Sequence, residues 1–193
     1  MDLTQGTTEE KNKRAKKMML WFAIISLIMS FAAWTSAFIV SSSRPDWLKD
    51  FKLPNAFIIS TVIIILSSLS FILAKKTLKA NNKKATTFWL LITLILGIVF
   101  IYNQFVGFKQ IIDLGYNFTG PTSNVTMSYI YLIAMVHILH VVVGLVCLLV
   151  VIYNHFKQKY NSMNMLGFEL ASTFWHFIDI LWIYLFLFLY FVR

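Results

Sequence analysis

Three histidines and two carboxylates stand inside or at the edge of long apolar stretches, where ionisable side chains are costly. His137 and His140 are three residues apart, His176 and Asp179 are three apart, and Glu169 comes ten residues before Asp179. In a helix a spacing of three places both members of a pair on one face. A charged side chain at the centre of a bilayer costs roughly 2.5–3.5 kcal/mol or more, so such groups need partners or a purpose. Four chemistries are open to them. They could lock two helices together by hydrogen bonds, hold a haem between histidines on facing helices, pass protons or ions, or ligate a metal with mixed histidine and carboxylate donors. Haem sites of this kind commonly need matched histidine pairs; here one stretch offers two histidines and the other only one. The acids and histidines do not extend across the membrane, so a complete proton path through this chain alone is disfavoured. No ligand spacing argues strongly for a metal. Internal hydrogen bonding is the preferred reading, with a contact between His137 or His140 and Asp179 as its sharpest form.

Five apolar runs must carry these residues, at 18–40, 54–74, 87–108, 127–153 and 171–192. Each is long enough for a hydrocarbon core of about 30 Å, which takes about 20 helical residues. None shows the sustained alternation of a barrel strand, and a helix satisfies its own backbone in lipid. The expected fold is therefore an all-α integral membrane bundle of five transmembrane helices behind a basic tail, residues 1–17. Composition agrees, with 59% hydrophobic and 13% charged residues against about 45–50% and about 25% in soluble domains. The first run is too long for the apolar region of a signal peptide, about 7–15 residues, and reads as a retained helix.

The net charge of +9 could point to nucleic acid, but the basic residues lie in short stretches between the apolar runs. Twelve, among them Lys11, Arg14, Lys75, Lys79, Lys84 and Lys157, fall on one side of the alternating spans, and five on the other. The positive-inside rule then predicts a cytoplasmic N-terminus and a C-terminus on the periplasmic side. No nucleic-acid partner is expected. Lone Cys147 lies within an apolar run and reads as a small buried hydrophobe. Asn117-Phe-Thr and Asn124-Val-Thr fit the glycosylation pattern, which is short enough to arise by chance.

Phe174-Trp-His-Phe-Ile-Asp-Ile-Leu-Trp182 resembles the most recognisable segment of haem-copper oxidase subunit III, Trp-His-Phe-Val-Asp-Val-Val-Trp, with Glu169 ahead of it where that family commonly has a Glu. His137-Ile-Leu-His140-Val-Val-Val-Gly144 is similar to the family's His-x-x-His-Val block and its following Gly. Pro54-Asn55, Ser67-Ser68, Gly97 and Gln104 echo weaker motifs of the second and third helices. The resemblance implies the short five-helix form, without the two-helix arm of longer members. The short basic tail, which carries Glu9 and Glu10 and does not read as a transit peptide, favours a bacterial inner membrane over an imported protein. Trp175, Trp182, His137, His140, Glu169, His176 and Asp179 would then form a structural polar cluster and a subunit or lipid contact.

The resemblance further implies no catalytic residue, cofactor or metal in this chain. Haem and copper would belong to partner subunits, subunit I in direct contact and subunit II in the same complex, with structural phospholipid on the bundle. The chain departs from the family at Ser26-Leu27, where many members carry Ser-Glu, so no role of that Glu transfers. A stand-alone haem-b electron carrier using His137 or His140 with His176 is the alternative from another class. A stand-alone transporter is disfavoured, because the first three runs hold no ionisable side chain and no broken-helix pair.

Overall fold

A computed structural model describes residues 7–48, 53–120, 123–160 and 165–192. Five helices account for most of them: α1 Thr8–Ser41, α2 Asn55–Lys79, α3 Lys83–Asp113, α4 Val125–Phe156 and α5 Leu166–Phe191. All five are long and apolar enough to cross a membrane. The described residues hold no strand beyond an isolated bridge between Asn117 and Ser123.

Every helix outruns the apolar run that predicts it, because apolarity measures the depth of lipid while local capping sets the end of a helix. Residues 8–17, read as tail, are helical. Thr7 Oγ1 accepts from the Glu10 amide at 3.3 Å and Glu10 Oε2 accepts from the Thr7 amide at 2.9 Å, a reciprocal cap. Lys13 adds an ion pair with Glu9 one turn earlier, at 2.8 Å. Asn82 caps α3 through the Ala85 amide, and Asn124 caps α4 through the Thr126 amide. The carboxamide of Asn124 also donates to the Asp46 carbonyl at 3.0 Å, so this asparagine serves as a structural clamp between two loops. At the end of α3, Gly115 takes a φ of +88°, and the amides of Gly115 and Tyr116 close back onto Ile112 and Ile111. That is the left-handed stop that glycine makes without steric cost.

The packing separates one helix from the other four. α2 touches α3 and α5, and α4 touches α3 and α5, which closes a four-helix ring; α1 rests outside it on α4 and α5. The buried positions of each helix repeat at seven residues. On α2 they are Phe57, Ile64, Phe71 and Leu78 with Ser60, Ser67 and Ala74; on α4 they are Met127, Ala134, Val141, Leu148 and His155 with Ile130, His137, Gly144 and Val151. On α5, Phe168, Trp175, Trp182 and Leu189 form one row. A seven-residue repeat is the seam of a left-handed supercoil, in which neighbouring helices cross at a shallow angle.

Small and hydroxyl side chains fill the α2–α3 seam and let the two backbones approach. Ser70 meets Thr93 at 2.6 Å, Thr77 meets Thr86 at 3.1 Å, and Asn103 donates to both the Ala56 carbonyl and Ser60. α1 is held more loosely, by Thr35 to Tyr184 and Ser41 to Tyr129. Phe31 and Phe38 are its buried anchors.

Candidate functional site

The centre of the ring is built on the two tryptophans of α5. They are seven residues apart, which stacks them on one face about 10 Å apart along the helix. Trp175 is 2% exposed and Trp182 1% exposed. Each donates its indole N–H to α2, Trp175 to Ser67 at 3.2 Å and Trp182 to Thr61 at 3.1 Å. A buried indole needs such a partner, and two α2 hydroxyls six residues apart, Thr61 and Ser67, supply one to each.

Trp175 is accommodated because its neighbours have no side chain. A Cβ on Gly97 of α3 would stand 2.9 Å from its Cη2, and one on Gly144 of α4 would stand 3.2 Å from its Cε3. Phe71 closes the fourth side edge-on at 6.4 Å. Trp182 meets Phe57 of α2, Phe100 of α3 and the His137 ring of α4, at 5.9, 5.2 and 5.0 Å between centroids. One residue thus touches all three other helices of the ring.

The ionisable residues do not form the single cluster expected of them. His137 is fully buried among Trp182, Phe100 and Phe31, and both of its nitrogens lack a hydrogen-bond partner. His140, half-buried, turns Nδ1 onto the carbonyl of Val136 in its own helix at 2.7 Å, with its ring edge-on to Phe31 at 5.7 Å. His176 bonds Ser68 of α2 at 2.6 Å. Asp179 is buried beside Ser68, outside hydrogen-bond geometry, and both carboxyl oxygens are without a partner. Glu169 stands in the first turn of α5 and pairs with Lys17 of α1 at 3.3 Å, a partly exposed contact at the basic face.

The expected histidine–aspartate contact is therefore absent, and facing, rather than depth, is the reason. Ile178 joins Trp175 in reaching Gly144 of α4 from α5. Asp179, the next residue, is turned about 100° from it, toward α2. The histidines of α4 point instead to the Trp182 layer and to α1. Among the described residues no group of three or more His, Cys, Asp and Glu side chains is placed to share a metal ion.

Sequence reasoning passed over the residues that receive these side chains: Thr61, Phe31, Phe71 and Phe100. Their signal is the seven-residue spacing of Thr61 with Ser68, of Phe57 with Ile64 and Phe71, and of Thr93 with Phe100. Leu27, at the usual Glu position, is half-buried on α1 between the buried Ile24 and Phe31. Toward the basic face α1, α4 and α5 splay around a largely apolar cavity of about 460 Å³, whose lining includes Leu20, Cys147, Val150, Asn154, Tyr160 and Phe174.

The family model for cytochrome c oxidase subunit III matches residues 4–193. Cytochrome c oxidase subunit 3 of Alkalihalophilus pseudofirmus is 28% identical over 185 residues, which cover 94% of this chain and 87% of that protein. Cytochrome bo(3) ubiquinol oxidase subunit 3 of Buchnera aphidicola from Schizaphis graminum is 30% identical over 185 residues, 94% of this chain and 96% of that one. The same subunit of Buchnera aphidicola from Baizongia pistaciae is 32% identical over 138 residues, 70% of this chain and 69% of the relative. The two tryptophan layers, the glycines that admit Trp175 and the histidine pair of α4 occupy the segments that resemble subunit III. This five-helix chain belongs to the cytochrome c oxidase subunit III family.

Proposed function

We propose that the chain is the non-redox accessory subunit III of a proton-pumping terminal respiratory oxidase, seated directly on subunit I in a bacterial inner membrane. The observation that carries the reading is the family match across residues 4–193, joined to a core in which the matching residues are spent on packing. His140 and His176 are engaged by Val136 and Ser68, and His137 is wedged between rings. That use of the histidines favours a bundle held by side-chain contacts over the haem-carrier alternative. Haem and copper then reside in partner subunits.

The N-terminus lies in the cytoplasm and the C-terminus outside, on the strength of the twelve basic residues gathered on one side. The cavity between α1, α4 and α5 is apolar, with Asn154 and Tyr160 in its wall, and suits a phospholipid chain. Relatives include subunits of both cytochrome c and ubiquinol oxidases. The electron donor is set by other subunits.

The test is a haem and subunit inventory. Affinity-tagged chain drawn from solubilised membranes should bring a large haem-bearing partner, and the chain separated from it should show no haem absorbance. A stoichiometric haem band on the separated chain would refute the proposal. So would a preparation that never contains a haem-bearing partner.

A further inference from the structure

Two seam positions of the four-helix ring hold polar side chains that are 0% exposed and have no hydrogen-bond partner: Gln104 of α3, through both amide atoms, and His137 of α4, through both ring nitrogens. Buried polar atoms are almost always paired, by protein or by ordered water, because an unpaired one forfeits the hydrogen bonds it made in the unfolded chain. Four such atoms in one part of a core therefore demand a common explanation.

The register of α3 against α4 brings the two residues to the same place. Phe100 meets the His137 ring at 6.0 Å, and two turns further along α3 Phe108 meets the Tyr131 ring at 5.2 Å. Gln104 lies midway between those contacts, on the same buried seam, and so stands opposite Ala134. Alanine has nothing beyond Cβ, which leaves the carboxamide room, and His137 is three residues from Ala134, about 4.5 Å along the helix. The two side chains make no direct bond, and an offset of that size is short enough for one bridge.

We infer that Gln104 and His137 enclose an ordered internal water that joins α3 to α4 inside the membrane. The chemistry is complementary. A carboxamide supplies two donors and an acceptor, and a neutral imidazole supplies one donor and one acceptor. A water makes two to four hydrogen bonds when buried, and these two side chains meet that requirement without further help. The rings of Phe31, Phe100 and Trp182 around His137 seal the site from lipid.

Solid-state NMR of the isotopically labelled full chain in bilayers tests this, since only four histidines contribute imidazole signals. Polarisation passed from water protons should reach the His137 nitrogens well above the dry baseline of the Ile64 and Leu148 methyls. The Gln104→Leu variant should bring His137 down to that baseline, and Gln104→Met serves the same purpose if the leucine variant does not fold. A dry His137 in the unaltered chain overturns the inference. So does a His137 that stays wet in the variant, or a direct coupling between the Gln104 amide and the imidazole.

Discussion

Alanine substitution of three mid-helix glycines of the ring, Gly97, Gly107 and Gly144, should rank them by how little room Trp175 leaves. Gly97 and Gly107 lie in α3 and Gly144 in α4, all inside helices. Each Gly→Ala change gains the same helix propensity, about 1 kcal/mol, so differences between the three variants cancel that gain. What remains is contact. A Cβ at Gly97 would stand 2.8 Å from Leu145 Cδ2 and 2.9 Å from Trp175 Cη2; at Gly144 the nearest atoms are at 3.2 Å; at Gly107 the nearest is Phe57 Cζ at 3.4 Å. Leu145 can turn its methyl aside. Trp175 cannot move as readily, being buried and tied to Ser67.

Overpacking of a filled core costs about 1–3 kcal/mol, so Gly97→Ala should be less stable than Gly107→Ala by about that amount, with Gly144→Ala between them. The assay is reversible unfolding in mixed micelles by added SDS, followed by loss of helix. Trp175→Phe removes the ring carbons that both alanines would strike, so Gly97→Ala should cost less in that background than alone. If Gly97→Ala proves as stable as Gly107→Ala, the tryptophan-in-glycine packing is refuted.

Other perturbations separate strong contacts from weak ones. Trp182→Phe and Thr61→Val should each destabilise, and their double-mutant cycle should return a coupling near the average for hydrogen bonds between membrane helices, about 0.6 kcal/mol, and no more than about 1.7 kcal/mol; a coupling of zero would remove the indole–hydroxyl bond from the account. Glu169→Gln should change stability by less than about 1 kcal/mol, because the Lys17 pair is partly exposed, and a larger loss in the same SDS titration would restore Glu169 to a structural role. In the loop after α1, the Arg44 guanidinium bonded to both oxygens of Asp46 holds that carboxyl below the ordinary aspartate value. A depressed folded value means the contribution is present above the unfolded value and lost as pH falls through the folded one. The Asp46 carboxyl resonance should therefore titrate below that of a free aspartate and return to it in Arg44→Gln; an unchanged midpoint would show that the pair does not persist in solution.

The five spans were legible because lipid demands length, and length is written in the sequence. The seams within them were not read, because lipid also erases contrast. Val62, Ile65 and Leu69 of α2 face outward while Ile64 and Phe71 face inward, and nothing in their hydropathy distinguishes the two sets. The inner face is marked instead by small and hydroxyl residues at seven-residue spacing, Ser60, Ser67 and Ala74, a signal of size rather than apolarity. The site was half legible for a related reason. Spacing puts His176 and Asp179 on one side of α5, yet it carries no information about which neighbour that side meets. The ring order, with α5 between α2 and α4, decides that Asp179 faces Ser68 and leaves His137 to Trp182 and His140 to Phe31 of α1.

The helices differ in how firmly they are fixed, and the difference bears on how such a subunit works. α2, α3, α4 and α5 share two tryptophan layers, each with an indole bond and close ring contacts, so that shifting any one of them disturbs all four. Polar residues at seam positions, Gln104 and His137 among them, add register, since sliding an α3 or α4 seam by one heptad would set them against apolar partners. α1 has no place in those layers. It contributes Phe31 to the flank of His137, two hydroxyl contacts and one ion pair with α5, and it borders the large apolar cavity toward the basic face. A ring of fixed shape presents a constant surface to a partner subunit, while a helix held at its edges can yield to what enters beside it. On the proposed function, loosening α1 with Phe31→Ala, which removes a buried ring at a typical cost of about 3–5 kcal/mol, should lower the phospholipid that co-purifies with the chain before it lowers the yield of the haem-bearing partner. Weakening the Trp175 layer should do the reverse.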